Sequence, residues 1–186
     1  MASTIRAALD RVYLVYFLIH IPVMLCVDLV PLYPISLWQP ASAPLRFLGD
    51  LRAYYIATYN DQFFLPPPAE IPNFFTLFAF LELAFHLPVS LWAVSALWDG
   101  KLHSKRSGGA GELLLLVYGL QTAITTFTCM YEAAMWDPEV VSFEQKETLV
   151  GGLYGSYFAL SVLLTADMYT RVLKRMNITD AAKKAQ

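Results

Sequence analysis

Charge and cysteine are both scarce in this chain. Only 15% of its 186 residues are Asp, Glu, Lys or Arg, and only two are Cys. Two cysteines exclude a disulfide framework, and no Cys/His set stands at metal-ligand spacing, so neither a metal nor another cofactor is expected. A Gly-rich phosphate loop and a Gly-x-Ser-x-Gly elbow are also missing, which removes nucleotide chemistry and hydrolase chemistry of those types. The basic residues are scattered without the aromatic interleaving of a nucleic-acid surface, so no nucleic-acid partner is expected. The first apolar stretch does not stop at a small-residue cleavage site but continues into Cys26, Val27, Asp28 and Leu29, so it is expected to be retained rather than removed as a signal peptide.

What fills the chain instead is apolar sequence, 57% of it, arranged in four long stretches. They run from Val12 to Leu32, Asn73 to Trp98, Glu112 to Ala134 and Thr148 to about Val172. Each is rich in Leu, Phe, Val, Ala and Tyr, and a stretch of about 20 residues rises roughly 30 Å as a helix, enough to cross a hydrocarbon core. The pattern predicts an all-α, polytopic membrane protein, a four-transmembrane-helix bundle in contact with the lipid bilayer. Four spans leave only one long connection and a short tail, so residues 1–186 are expected to form a single membrane domain. Cys26 and Cys129 fall inside spans and read as reduced packing residues.

The formal net charge of −2 conceals a sorted distribution. Arg6 and Arg11, then Lys101, Lys105 and Arg106, then Arg171, Lys174, Arg175, Lys183 and Lys184 fall on one side of the bundle, ten basic residues against three (Arg46, Arg52 and Lys146) on the other. The positive-inside rule therefore places both termini in the cytosol and the 33–72 and 135–147 loops on the opposite, luminal side. The connector from Asp99 to Gly111, with its Ser-Gly-Gly-Ala-Gly run, reads as a solvated linker. The first loop differs, because Leu45, Leu48, Leu51 and Tyr55 recur at helical spacing among Arg46, Asp50 and Arg52. That predicts a short luminal amphipathic helix, either a lid over the bundle or a surface helix capping apolar ends. Pro66-Pro67-Pro68 then breaks the chain before the second span.

The few polar residues inside the spans are the candidate functional centre, since a bilayer penalises a carboxylate at helix centre by about 2.5–3.5 kcal/mol. His20 and Asp28 lie eight residues apart, on nearly the same face and about 12 Å apart along the axis. Glu82 and His86 stand at i and i+4. Asp28 falls near the luminal end of its helix, where it is either interfacial and wet or part of a site, while Glu82 lies roughly 15 Å in. Antiparallel packing brings the two carboxyls together, and two such groups in low dielectric would share one proton and one negative charge, suited to a ligand cation. His20 and His86 serve either packing or the wall of a polar site. Pro22 and Pro88 each follow a histidine by two residues and predict kinks that open a cavity. Gln121, Thr122, Thr125, Thr126 and Thr128, with Tyr154 and Tyr157, would line it, interhelical hydrogen bonding being the competing role for the threonines.

These residues carry a resemblance. The run Tyr16-Phe17-Leu18-Ile19-His20-Ile21-Pro22-Val23 through Asp28-Leu29, then Pro67-Pro68, then Leu81-Glu82-Leu83-Ala84-Phe85-His86-Leu87-Pro88 and Leu153-Tyr154-Gly155-Ser156-Tyr157, resembles the sigma-2 receptor (transmembrane protein 97) family. That family belongs to the EXPERA group, with the emopamil-binding protein sterol isomerase and the fungal efficient mitochondria targeting-associated branch. The resemblance implies an EXPERA fold of the endoplasmic reticulum membrane, with a cavity open sideways to lipid that accepts sterols or amphiphilic amines, a role in sterol and lipid homeostasis or trafficking, and pairing into a homodimer. It implies that Asp28 pairs with a ligand amine and Glu82 hydrogen-bonds Asp28, with His20, Tyr154 and Tyr157 as pocket residues and Tyr118 and Gln121 on the third-helix lining.

By the same resemblance, the isomerase branch would use His20 and Glu82, but its other glutamate falls on Met24. A thioether transfers no proton, so double-bond isomerisation would require Asp28 as substitute. No catalytic residue is therefore assigned, and isomerase chemistry stands as the alternative, with assistance to mitochondrial precursor targeting as a third reading. Lys183 and Lys184, four and three places from the last residue, fit a dilysine retrieval signal of the endoplasmic reticulum. Glycosylation at the Asn177-Ile178-Thr179 sequon would contradict a cytosolic tail.

Overall fold

The structure is a computed structural model that describes the backbone of residues 2–66, 69–100, 102 and 109–184, with side chains from 4 to 177 within those ranges. Pro67 and Pro68, most of the second connector, and the side chains of Lys183 and Lys184 lie outside the described residues. All regular structure among the described residues is helical. Helix α1 (Ala2–Val23) runs on into a π turn, Met24–Asp28, and a short 3-10 segment, Val30–Leu32. Helix α2 (Arg46–Tyr59) lies in the first loop. Helix α3 (Asn73–Leu81) continues through a π turn, Glu82–His86, into α4 (Leu87–Trp98), and α5 (Ala110–Met135) follows. The last span is assembled from α6 (Phe143–Lys146), a long π segment (Glu147–Tyr154) and α7 (Gly155–Lys184).

Four helices are long and apolar enough to cross a membrane: Thr4–Asp28, Asn73–Trp98, Ala110–Met135 and Phe143–Asn177. The protein is a polytopic helical bundle. Its first span, Thr4–Asp28, is displaced from the expected Val12–Leu32, because Pro31 has no N–H to continue the bonding of the preceding turn and residues 30–32 tighten into the 3-10 segment. At its start, Asp10 is neutralised by Arg171 at 2.8 Å and so remains within the bundle. The last span begins earlier than Thr148 for a local reason. Ser142 and Gln145 form a reciprocal capping box, and Lys146 Nζ donates to the terminal carbonyls of α5 at Ala134 and Trp136.

Arg171 corrects the charge map. Rather than belonging to a solvated tail, it is 3% exposed and held by Asp10 and by Asp167 at 2.6 Å, while Tyr13 donates to Asp167 at 3.1 Å. Arg175 pairs similarly with the buried Glu112. These ion pairs join α1, α5 and α7 at the end of the bundle that carries the termini. Below them α5 packs along α7 and α1 against α4, around a core that includes Tyr13, Phe17, Leu115, Tyr118, Leu164 and Met168.

At the opposite end, a second cluster of Phe63, Phe64, Cys129 and Ala133 sits beneath α2. The inward face of α2 differs from the expected stripe. Leu48 and Arg52 are buried and Tyr55 half-buried, whereas Leu51 is exposed. Arg52 can turn inward because its Nη2 donates to the Phe64 carbonyl at 2.6 Å and its guanidinium lies over the Phe64 ring.

Candidate functional site

Three of the four spans contain a π segment, and each segment carries a predicted site residue. Asp28 closes the first, Glu82 and His86 open and close the second, and Tyr154 closes the third. A π turn takes up one extra residue, which turns the following side chain around the axis. An ideal α-helix leaves residues eight apart about 80° out of phase, whereas one absorbed residue reduces the mismatch to about 20°. The π turn is thus what aligns Asp28 with His20.

The result is a cavity of about 300 Å³ in the half of the bundle away from the termini. His20 and Asp28 line it from the first span, Glu82 and His86 from the second, and Tyr154 and Tyr157 from the fourth. Thr122, Thr125, Thr126 and Cys129 form the α5 wall, and Tyr55 and Tyr59 of α2 with Phe64, Phe75 and Phe78 close it aromatically. Two carboxyls therefore face one apolar, aromatic chamber. Thr122 and Thr125 donate to the carbonyls of Tyr118 and Gln121 on their own helix, at 2.9 and 3.1 Å, rather than across the interface.

Tyr118 and Gln121 are not on the cavity wall. Tyr118 is fully buried behind His86, with ring centroids 4.9 Å apart, and its hydroxyl is 3.2 Å from Ser90 Oγ. Met24 is fully buried and also absent from the lining, so its position presents no group to the chamber. Thr128, turned to the Ile124 carbonyl, is likewise elsewhere.

Sequence reasoning missed Asp61. Its carboxylate is inaccessible to solvent and accepts hydrogen bonds from the Tyr154 hydroxyl at 2.8 Å, the Tyr55 hydroxyl at 2.9 Å and the Phe63 N–H at 3.0 Å. Two cavity-wall tyrosines, one on α2 and one on the last span, are thereby fixed by one side chain. Burial pushes the Asp61 carboxyl above its ordinary range, and the bonds from Tyr154, Phe63 and Tyr55, with the charge of Arg52, pull it back. Burial and the same carboxylate raise the Tyr55 hydroxyl. The available signal was its residue type, an N-cap acceptor immediately before the Gln62-Phe63-Phe64 turn.

The EXPERA (EXPanded EBP superfamily) profile matches residues 47–168, which takes in α2 from its second residue, the second and third spans and the last span as far as Met168. The chain belongs to the EXPERA family. Among similar proteins, efficient mitochondria targeting-associated protein 19 of Schizosaccharomyces pombe is 29% identical over 92% of this chain and 80% of its own. The protein of the same name from Saccharomyces cerevisiae is 29% identical over 65% of this chain and 69% of its own. Sigma intracellular receptor 2 of Xenopus tropicalis is 34% identical over 46% of each chain.

Proposed function

We propose that this EXPERA protein binds sterol-like or cationic amphiphilic ligands in the cavity, with Asp28 and Glu82 supplying negative charge and the tyrosines and phenylalanines supplying apolar contact. The observation that carries this reading is the placement of both carboxyls on one aromatic chamber. In low dielectric such charge is costly alone and favourable beside a cation, so an amine is the complementary partner. Entry from lipid is supported by Tyr157, which lines both the cavity and a groove of about 480 Å³ on the outer face between α1 and α7. Residence in the endoplasmic reticulum with both termini cytosolic, a role in lipid homeostasis or trafficking, and pairing into a homodimer complete the proposal.

The test is competition binding on purified protein with a labelled amphiphilic amine and a labelled neutral sterol. Asp28→Asn is expected to weaken the amine more than tenfold and the sterol less than threefold. Equal loss for both ligands overturns the charge role.

A second reading is sterol double-bond isomerisation by His20, Glu82 and Asp28, favoured by their presence around one cavity and opposed by the buried thioether of Met24. A Δ8-unsaturated sterol returned with its double bond unmoved excludes it. A third reading rests on the two relatives named for mitochondrial targeting. It requires that Asp28→Asn and Glu82→Gln leave precursor import in intact cells unchanged.

A further inference from the structure

The histidine end of the cavity contains polar atoms that the fold does not satisfy. His20 is 5% exposed, and neither of its ring nitrogens has a hydrogen-bond partner, while His86 is 3% exposed with Nε2 unpartnered. Buried polar groups in a folded protein are normally bonded, so atoms left over beside a cavity indicate what enters it. No neighbouring side chain bonds these nitrogens, although the Tyr157 ring also lies 5.2 Å from that of His20 and the Tyr16 hydroxyl is itself buried and unpartnered. Tyr16 stacks on His20 at 5.2 Å, Tyr118 directs its hydroxyl to Ser90, and Thr122 and Thr125 donate to backbone carbonyls. A neutral imidazole has one donor and one acceptor nitrogen, and a hydroxyl complements both by accepting from one and donating to the other. Asp28 lies at the opposite end of the same wall, roughly 10 Å along the helix from His20 once the residue absorbed by the π turn is discounted.

We propose that the His20–His86 end of the cavity binds a hydroxyl group of the ligand, so that the preferred ligand is a cationic amphiphile with a hydroxyl about 10 Å from its nitrogen. The hydroxyl lies toward the termini and the amine toward α2. This inference rests on the reading of the cavity proposed above and adds a second polar anchor, which fixes the direction in which the ligand lies.

A matched pair tests it: a side-chain azasteroid bearing a 3β-hydroxyl, and its 3-deoxy analogue, measured by competition on the purified full chain. The wild type is expected to bind the hydroxylated compound at least tenfold more tightly. His86→Leu and His20→Phe are expected to reduce that ratio to near one while still binding the deoxy compound, which also reports that they are folded. His86→Gln, which keeps a donor and an acceptor, is expected to retain the preference, and Asp28→Asn is expected to weaken both compounds without changing their ratio. Equal affinities in the wild type, or a ratio that persists in both histidine variants, overturn the hydroxyl site and leave the amine reading intact. Binding of neither compound overturns both.

Discussion

Asp61 concentrates three hydrogen bonds on one inaccessible carboxylate, two of them from tyrosines that line the cavity. Removing it leaves two buried hydroxyls and an N–H without a partner, and bonds to a charged acceptor contribute about 1.5–3 kcal/mol each. Asp61→Ala is expected to lower the unfolding temperature in detergent markedly and to weaken ligand binding through loosened tyrosines, whereas Asp61→Asn, which keeps an acceptor oxygen, is expected to lose less of either. The pH dependence has a definite sign. Burial holds this carboxyl above its unfolded value of about 3.9, so the folded state keeps the proton more tightly. Its contribution is then fully present below that value and is lost as pH rises through the folded one. Comparison of melting temperatures across pH 4–8 is expected to show wild type losing stability relative to Asp61→Asn as pH rises, and a constant gap between the two would contradict the shift. Asp61 was illegible in the sequence because a lone aspartate in a polar loop reads as solvated, and only the long-range contact with Tyr154, 93 positions away, makes it central. Asp28 and Glu82 were legible because a carboxylate inside an apolar run has few alternatives.

Hydropathy sufficed for the existence of the spans, since a bilayer-spanning helix must be long and apolar whatever it packs against. Their ends and internal register did not follow from it. Asp10 precedes the expected start at Val12 and Arg171 groups with the basic residues of the last tail, yet they neutralise each other inside the bundle. The π segments likewise do not show in hydropathy, and they set the phase of Asp28, Glu82 and Tyr154. The approach of α5 to α7 is a further property of the element. A Cβ on Gly119 would stand 2.7 Å from Thr165 Oγ1, 3.1 Å from the Ser161 carbonyl oxygen and 3.2 Å from the Thr165 nitrogen. Two of those three neighbours are backbone and cannot rotate away, so a larger side chain must separate the helices. Gly119→Leu is expected to cost about 1–3 kcal/mol, read as a lower melting temperature in detergent, with Gly119→Ala intermediate. Melting at the wild-type temperature in Gly119→Leu would mean that the two helices do not approach this closely in the bilayer.

At the scale of the whole molecule, the proposed homodimer needs a face, and α5 presents one. Leu113, Val117, Leu120, Ile124, Phe127 and Tyr131 follow one another at alternating steps of four and three, and each is between 47% and 61% exposed. They form one continuous apolar stripe along the span, on the side away from the cavity wall of Thr122, Thr125, Thr126 and Cys129. A second copy packed along this stripe would bury Leu120 and Ile124 near its centre. With Cys26 and Cys129 replaced by Ala, a single cysteine at Leu120 or Ile124 is therefore expected to cross-link into a dimer under mild oxidation in membranes. One at Leu91, 54% exposed on α4, is expected to remain monomeric. Because the same helix presents the cavity wall on its other face, dimerisation through this seam would hold α5 in position against the ligand. A dimer-breaking Ile124→Arg variant would then bind amines more weakly although no cavity residue had changed. Cross-linking at Leu91 and not on α5 would relocate the interface to the second span and remove that coupling.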